Sequence, residues 1–363
     1  MGIQRRDFGN TSDGKKVELF TLINDNGVSA SFTNLGAVWV SMLVPDAAGK
    51  FADVVLGYDS VHKYEQNIPH FGAPIGRNAN RIREASFELN GKKYYLAKNS
   101  GNGNNLHSGP DYFKTRIWNV ETTEDDIGSK VIFSLVSPDG DQGYPGNLEI
   151  TISYTLTPDN SIIIEYRGVS DQDTIFNFTN HSYFNLAGHQ AETILKQEVM
   201  IDSDYFTVAD EDSIPTGEIA PVAGTAMDFN QWKPLGQDID NDYIPLIFAG
   251  GYDHNYVLKT SLGEPSLVAK LRDKKSGRLM EVFTDLPGMH LYTGNFLKSD
   301  VPGKEEAVYY KRSGVCFETQ FFPSAITIPT FIQPILRAGE LFETTTVFRF
   351  GVENIGDDKN GII

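Results

Sequence analysis

The chain has 363 residues and a net charge of −17, from 48 acidic and 31 basic residues. A surface this acidic repels phosphate backbones and anionic bilayers, so neither nucleic acid nor a membrane is an expected partner, whereas a neutral small molecule is. The one cysteine, Cys316, allows no internal disulfide and no cysteine-rich metal site.

Strand patterns dominate in chain order, and the 23 Phe, 16 Tyr and 34 Gly suit many strands joined by tight turns. Residues 28–45, VSASFTNLGAVWVSMLVP, alternate and break at Gly36. SVHKYEQN (60–67) predicts a short helix after a Ser60 cap. In GRNANRI (76–82) Arg77 and Arg81 stand four apart, which a helix or a strand would place on one face, beside the amides Asn78 and Asn80. SFELNGKKYYLA (86–97) is a hairpin pattern around Asn90-Gly91, the type I′ dipeptide. GNGNNLHSG (101–109) reads as an adaptable loop carrying His107.

Residues 124–126, EDD, and 237–243, QDIDNDY, read as solvated loops. Strands are expected in 129–140, twice in 148–170 around Pro158-Asp159-Asn160, in 282–297, in 314–322 and in 344–352. No fixed-period repeat, low-complexity linker or composition shift divides the chain. The expectation is an all-β protein, one large antiparallel β-sandwich spanning 1–363 with few short helices.

Several polar residues sit in apolar patterns. TNHSYFNLAG (179–188) is strand-like, and alternation puts His181, Tyr183 and Asn185 on one face. Polar groups among so many aromatics need partners, and a hydroxyl-rich ligand would supply them. Glu318, in VCFETQF, shares a face with Cys316 and Gln320. An acid in so apolar a strand has its pKa pushed up toward the range of a general base. Asp253 and Asn255 share a face in DHNYVL. There is no GxxxxGK[ST] loop, no GxSxG elbow and no HExxH.

Nine segments in order, FTNLGA (32–37), DVVLGYDS (53–60), GRNANRI (76–82), NNLHSG (104–109), GYPGNL (143–148), NHSYFNLAG (180–188), GYDHNYVL (251–258), YTGNFL (292–297) and FETQ (317–320), resemble the aldose 1-epimerase (galactose mutarotase) family across nearly the whole chain. The resemblance implies a β-supersandwich with a sugar in an open cleft. It also implies Glu318 as general base, His181 as general acid, His107 as an assisting residue, and Asn80, Arg81 and Asp253 as ligands of sugar hydroxyls. Arg77 carries no implied catalytic role and is expected to be structural.

The sequence departs from the family pattern in three places. PGMHLYTGN puts His290 where the family usually places a sugar-binding Gln, so His290 is expected to bind sugar without moving protons. PDYFKTRIW follows LHSG, and FFPSAITIPTF follows FETQ, in place of the familiar segments. These departures bear on substrate preference rather than reaction type.

The implied reaction interconverts α- and β-anomers of free hexoses such as galactose and glucose. Opening a hemiacetal needs one base and one acid, but no metal, cofactor or covalent intermediate. A Glu raised from about 4.3 and a His near about 6.5 suit the two roles. The competing readings are a glycoside-acting enzyme with Asp253 and Glu318 as paired carboxylates, and a non-catalytic sugar-binding protein. The lone thiol and the absence of an apolar h-region behind MGIQRR suggest a cytoplasmic protein, expected as a monomer or homodimer.

Overall fold

A computed structural model describes residues 1–298 and 300–353. Its largest sheet has nine strands, in the spatial order 119–124, 129–137, 148–156, 161–170, 341–352, 278–284, 266–273, 198–201 and 233–234. A five-stranded meander, 2–10, 16–23, 29–33, 38–45 and 51–53, lies against it. Phe20 meets Phe133 edge-on at 6.3 Å, Phe32 stacks on Tyr154 at 4.3 Å, and Trp39 packs on Phe348 at 5.9 Å. Buried alternate residues of the two sheets thus fill one core.

The third sheet, also of five strands, runs 215–221, 205–209, 253–257, 288–292 and 316–320. Its inner face adds Tyr256, Met289, Leu291 and Phe317 to that core. Its opposite face is polar. Among the described residues there are two α-helices, Val61–Gln66 and Ile244–Ala249.

The turn chemistry expected from the sequence is present. Asn90 and Gly91 have φ of 52° and 74° between the strands Ser86–Leu89 and Lys92–Tyr95. Gly36 has φ of 75°, and a Cβ there would stand 2.4 Å from the Lys114 carbonyl oxygen, so only glycine fits. Ser60 precedes the first helix, but its side chain makes no capping bond. Glu124 ends the strand Asn119–Glu124 rather than opening a loop.

One expected strand is not formed as such. In 179–188 only Thr179–Asn180 is strand, paired with Pro74–Ile75. The Asn180 side-chain oxygen takes the Ser182 N–H at 3.0 Å, and Asn185 takes the Ala187 N–H at 3.1 Å. These local bonds turn the backbone out of a ladder, the usual competition of Asn with sheet structure. His181 is held instead by its N–H on the Ala73 carbonyl at 2.9 Å.

Candidate active site

The polar face of the third sheet forms one wall of a cavity of about 680 Å³. Register fixes the residues that share it. Asp253 lies opposite Tyr292, which lies opposite Cys316; Asn255 lies opposite His290, which lies opposite Glu318. The odd-even pattern that buries Met289, Leu291 and Phe317 therefore turns His290, Tyr292 and Glu318 to the other side.

The opposite wall is made of turns. Asn80 (φ 59°) and His107 (φ 55°) are left-handed non-glycine residues. They bond to each other twice: the His107 N–H donates to the Asn80 carbonyl at 2.9 Å, and the Asn80 N–H donates to His107 Nδ1 at 3.1 Å. The strand pair Arg81–Ile82 and Asn105–Leu106 brings the two turns together. Arg81 extends from here with its Nε buried and without a hydrogen-bond partner among the described residues, and its Nη1 lies 3.5 Å from the Asn80 amide oxygen. His181 and Tyr183 close the wall.

The cavity is lined by all seven residues singled out from the sequence: Asn80, Arg81, His107, His181, Asp253, His290 and Glu318. His181 Nε2 stands 3.7 Å from Glu318 Oε1, and Glu318 Oε2 has no hydrogen-bond partner among the described residues. His290 Nε2 lies 2.6 Å from Asp253 Oδ1.

Burial sets the proton affinities. It pushes the Glu318 carboxyl well above the ordinary range; the nearby Asp253 charge adds to this, and Arg81 offsets part of it. It drives His181 down to about 3, against the pull of its own carbonyl and of Asp253. This corrects the expectation of a histidine near its ordinary value: burial disfavours the charged ring. His107 is likewise pushed well below its ordinary value by burial, with neighbouring cationic groups adding to the effect. Burial alone would raise Asp253, but its hydrogen bond with His290 and the nearby Arg81 charge hold it below the usual carboxylate range. Burial therefore favours the form of the Glu318–His181 pair with the proton on Glu318 and a neutral imidazole.

Nitrogen and oxygen atoms of His107, His181 and Glu318 lie within 4.8 Å of one another, close enough to suggest a metal site. The hydrogen bonding argues against one. His107 Nδ1 accepts a backbone N–H, so its Nε2 bears the hydrogen and has no lone pair to offer. A resident divalent ion would have to break the bond that holds His107 to Asn80.

Other residues sort cleanly. Arg77 is fully buried and bonds to the Ser137 hydroxyl and to the carbonyls of Ser137, Pro145 and Gly146 at 2.7–3.0 Å, away from the cavity. His189 meets the Tyr309 hydroxyl at 3.0 Å, and His254 Nδ1 accepts the Asp253 N–H. Asn185, expected on the face of His181, instead donates to the Ser313 carbonyl and accepts from Gln197. Spacing did not single out His70 or the Tyr292 platform, which also line the cavity. The alternation of His290 with Tyr292 could have flagged the tyrosine; nothing in the local pattern could have flagged His70.

The sequence profile described as Aldose 1-epimerase matches residues 18–349. The chain belongs to the aldose 1-epimerase family. It is 42% identical to a galactose mutarotase of Sus scrofa over 353 residues, covering 97% of this chain and 99% of that one. It is 36% identical to an aldose 1-epimerase of Haemophilus influenzae over 345 residues, covering 94% and 98%. Among solved structures it resembles a galactose 1-epimerase from Lactobacillus acidophilus, with a TM-score of 0.85, 27% identity and coverage of 97% and 99%. The family and these neighbours agree with the β-sandwich described above.

Proposed function

We propose that the chain is an aldose 1-epimerase interconverting the anomers of free hexoses such as galactose and glucose, with Glu318 as base and His181 as acid. The observation that carries this reading is a buried carboxyl and a buried imidazole 3.7 Å apart in a cavity lined by polar side chains. The relatives named above support it.

Opening starts from the charged form of the pair. Glu318 takes the O1 proton, O1 becomes the carbonyl oxygen, the bond from C1 to the ring oxygen breaks, and the ring oxygen takes the proton of His181. Rotation about C1–C2 turns the other aldehyde face to the ring oxygen, and the same transfers run backwards. The open chain thus coincides with protonated Glu318 and neutral His181, the form that burial favours. A cyclic sugar supplies Glu318 with the hydroxyl donors that the protein withholds, which moves the proton to His181 before opening. Each positioned group is worth roughly 10²–10⁴-fold.

His107, with its hydrogen on Nε2, donates to a sugar oxygen. Asn80, Arg81, Asp253 and His290 bind hydroxyls, and Tyr183 and Tyr292 face the apolar side of the ring. The reading extends to a single domain over 1–363, of which 299 and 354–363 lie outside the described residues, working without a cofactor in the cytoplasm as a monomer or homodimer. Polarimetry of freshly dissolved α-D-galactose and α-D-glucose tests it. Protein should speed the approach to equilibrium rotation, and sugar binding without acceleration would overturn the catalytic reading.

A further inference from the structure

Two imidazoles that line the cavity, His62 and His70, have been given no role so far. His70 stands in a loop built to present its ring. Its backbone is left-handed at φ 61°, unusual for a residue other than glycine or asparagine. Asn67 brackets the loop: its carbonyl takes the His70 N–H at 2.9 Å, its amide donates to the Phe71 carbonyl at 3.1 Å, and its side-chain oxygen takes the Phe71 N–H at 2.9 Å. The neighbouring Pro69 carbonyl accepts the Tyr183 hydroxyl at 3.0 Å, which ties the loop to the cavity wall.

The ring is fixed as firmly as its backbone. It packs edge-on against Tyr112 at 4.9 Å, lies near-parallel to His181 at 5.9 Å, and stands 5.2 Å from His107. Three imidazoles thus form a triangle, since His107 and His181 are 5.5 Å apart. Packing alone would be served by an apolar ring. Yet Nδ1 is buried with no hydrogen-bond partner among the described residues, and His70 lines the cavity. Buried polar atoms are ordinarily satisfied, so an imidazole held here without a protein partner points to a ligand. Burial keeps the ring neutral. A neutral imidazole, one donor and one acceptor, matches a hydroxyl rather than an anion.

We propose that His70 is a further sugar-contacting residue, hydrogen-bonding one ring hydroxyl beside His107 and His181 and so helping to set which aldoses are accepted. This rests on the reading of the cavity as an aldose site.

The test pairs His70→Ala and His70→Asn with galactose and its 2-, 3-, 4- and 6-deoxy analogues. Asparagine tolerates the left-handed backbone, so it keeps the loop if alanine does not. Binding is read by titration calorimetry and turnover by polarimetry. Wild type should lose roughly two- to tenfold in affinity for one deoxy analogue, the value of a neutral hydrogen bond. His70→Ala should lose the same factor for galactose and nothing further for that analogue. Equal losses on all analogues, or unchanged galactose affinity in both variants, would overturn the proposal. Wild type that binds galactose without turning it over would instead count against the mutarotase reading, and the affinity comparison would still decide the role of His70. Wild type that binds none of the sugars would overturn both.

Discussion

The sheet wall of the cavity, with Asp253, His290 and Glu318, takes its residues from strict alternation, whereas the turn wall, with Asn80, His107 and His181, takes them from left-handed backbones and side-chain-to-backbone bonds. The two walls carry similar chemistry. On the first, the same period that fills the core aims the functional groups, so their placement is as stable as the core itself. On the second, each group is aimed by a few local hydrogen bonds. The proposed base sits on the sheet wall and the proposed acid on the locally bonded one.

The largest effects should come from removing the two groups that face each other. Glu318→Gln and His181→Asn are each expected to lower turnover by about 10²–10⁴-fold. Circular dichroism should confirm that each variant is folded. Near-normal polarimetric rates from either folded variant would break the assignment.

Arg77 and Arg81 sharpen the contrast between holding a fold and lining a site. Removing the Arg77 guanidinium leaves several buried carbonyls unpaired, at about 1–3 kcal/mol each. Arg77→Met should therefore cost at least about 3 kcal/mol in urea unfolding. Arg81→Met should change stability little and raise KM. A reversed pattern would exchange their roles.

The sheet wall was legible from the sequence, the turn wall only in part. Alternation in residues 288–292 and 316–320 set both core and cavity faces, as observed. Arg77 and Arg81 could not be separated by spacing, because the four-residue interval fits a helix or a strand and the segment is neither throughout. His181 was read into a strand because its neighbours have strand composition; Asn180 and Asn185, bonding to their own backbone, redirect it. His70 left no signal, since its place depends on the Asn67 bracket and on Tyr183 far along the chain. The low proton affinity of His181 is a property of the assembled cavity, where rings from distant segments exclude water.

Smaller effects probe the substitution on the sheet wall. His290→Gln should keep kcat within about tenfold, since the change exchanges one hydrogen-bonding group for another. Its signature is an altered KM or sugar preference. A loss as deep as that of Glu318→Gln would mean that His290 carries protons. The smallest expected effect is none: exhaustive EDTA treatment should leave mutarotation intact, because His107 cannot give up its bond to Asn80 without disturbing the turn wall. Loss of activity restored by a divalent ion would contradict this.

The account depends most on where the shared proton rests. Difference infrared spectroscopy of wild type against Glu318→Gln at neutral pH reads it directly. A carbonyl stretch of a protonated carboxylic acid, present in wild type and missing from the variant, is the result expected of a buried Glu318 beside a neutral His181. A carboxylate band lost in its place would show Glu318 ionised in the free site and would contradict the account.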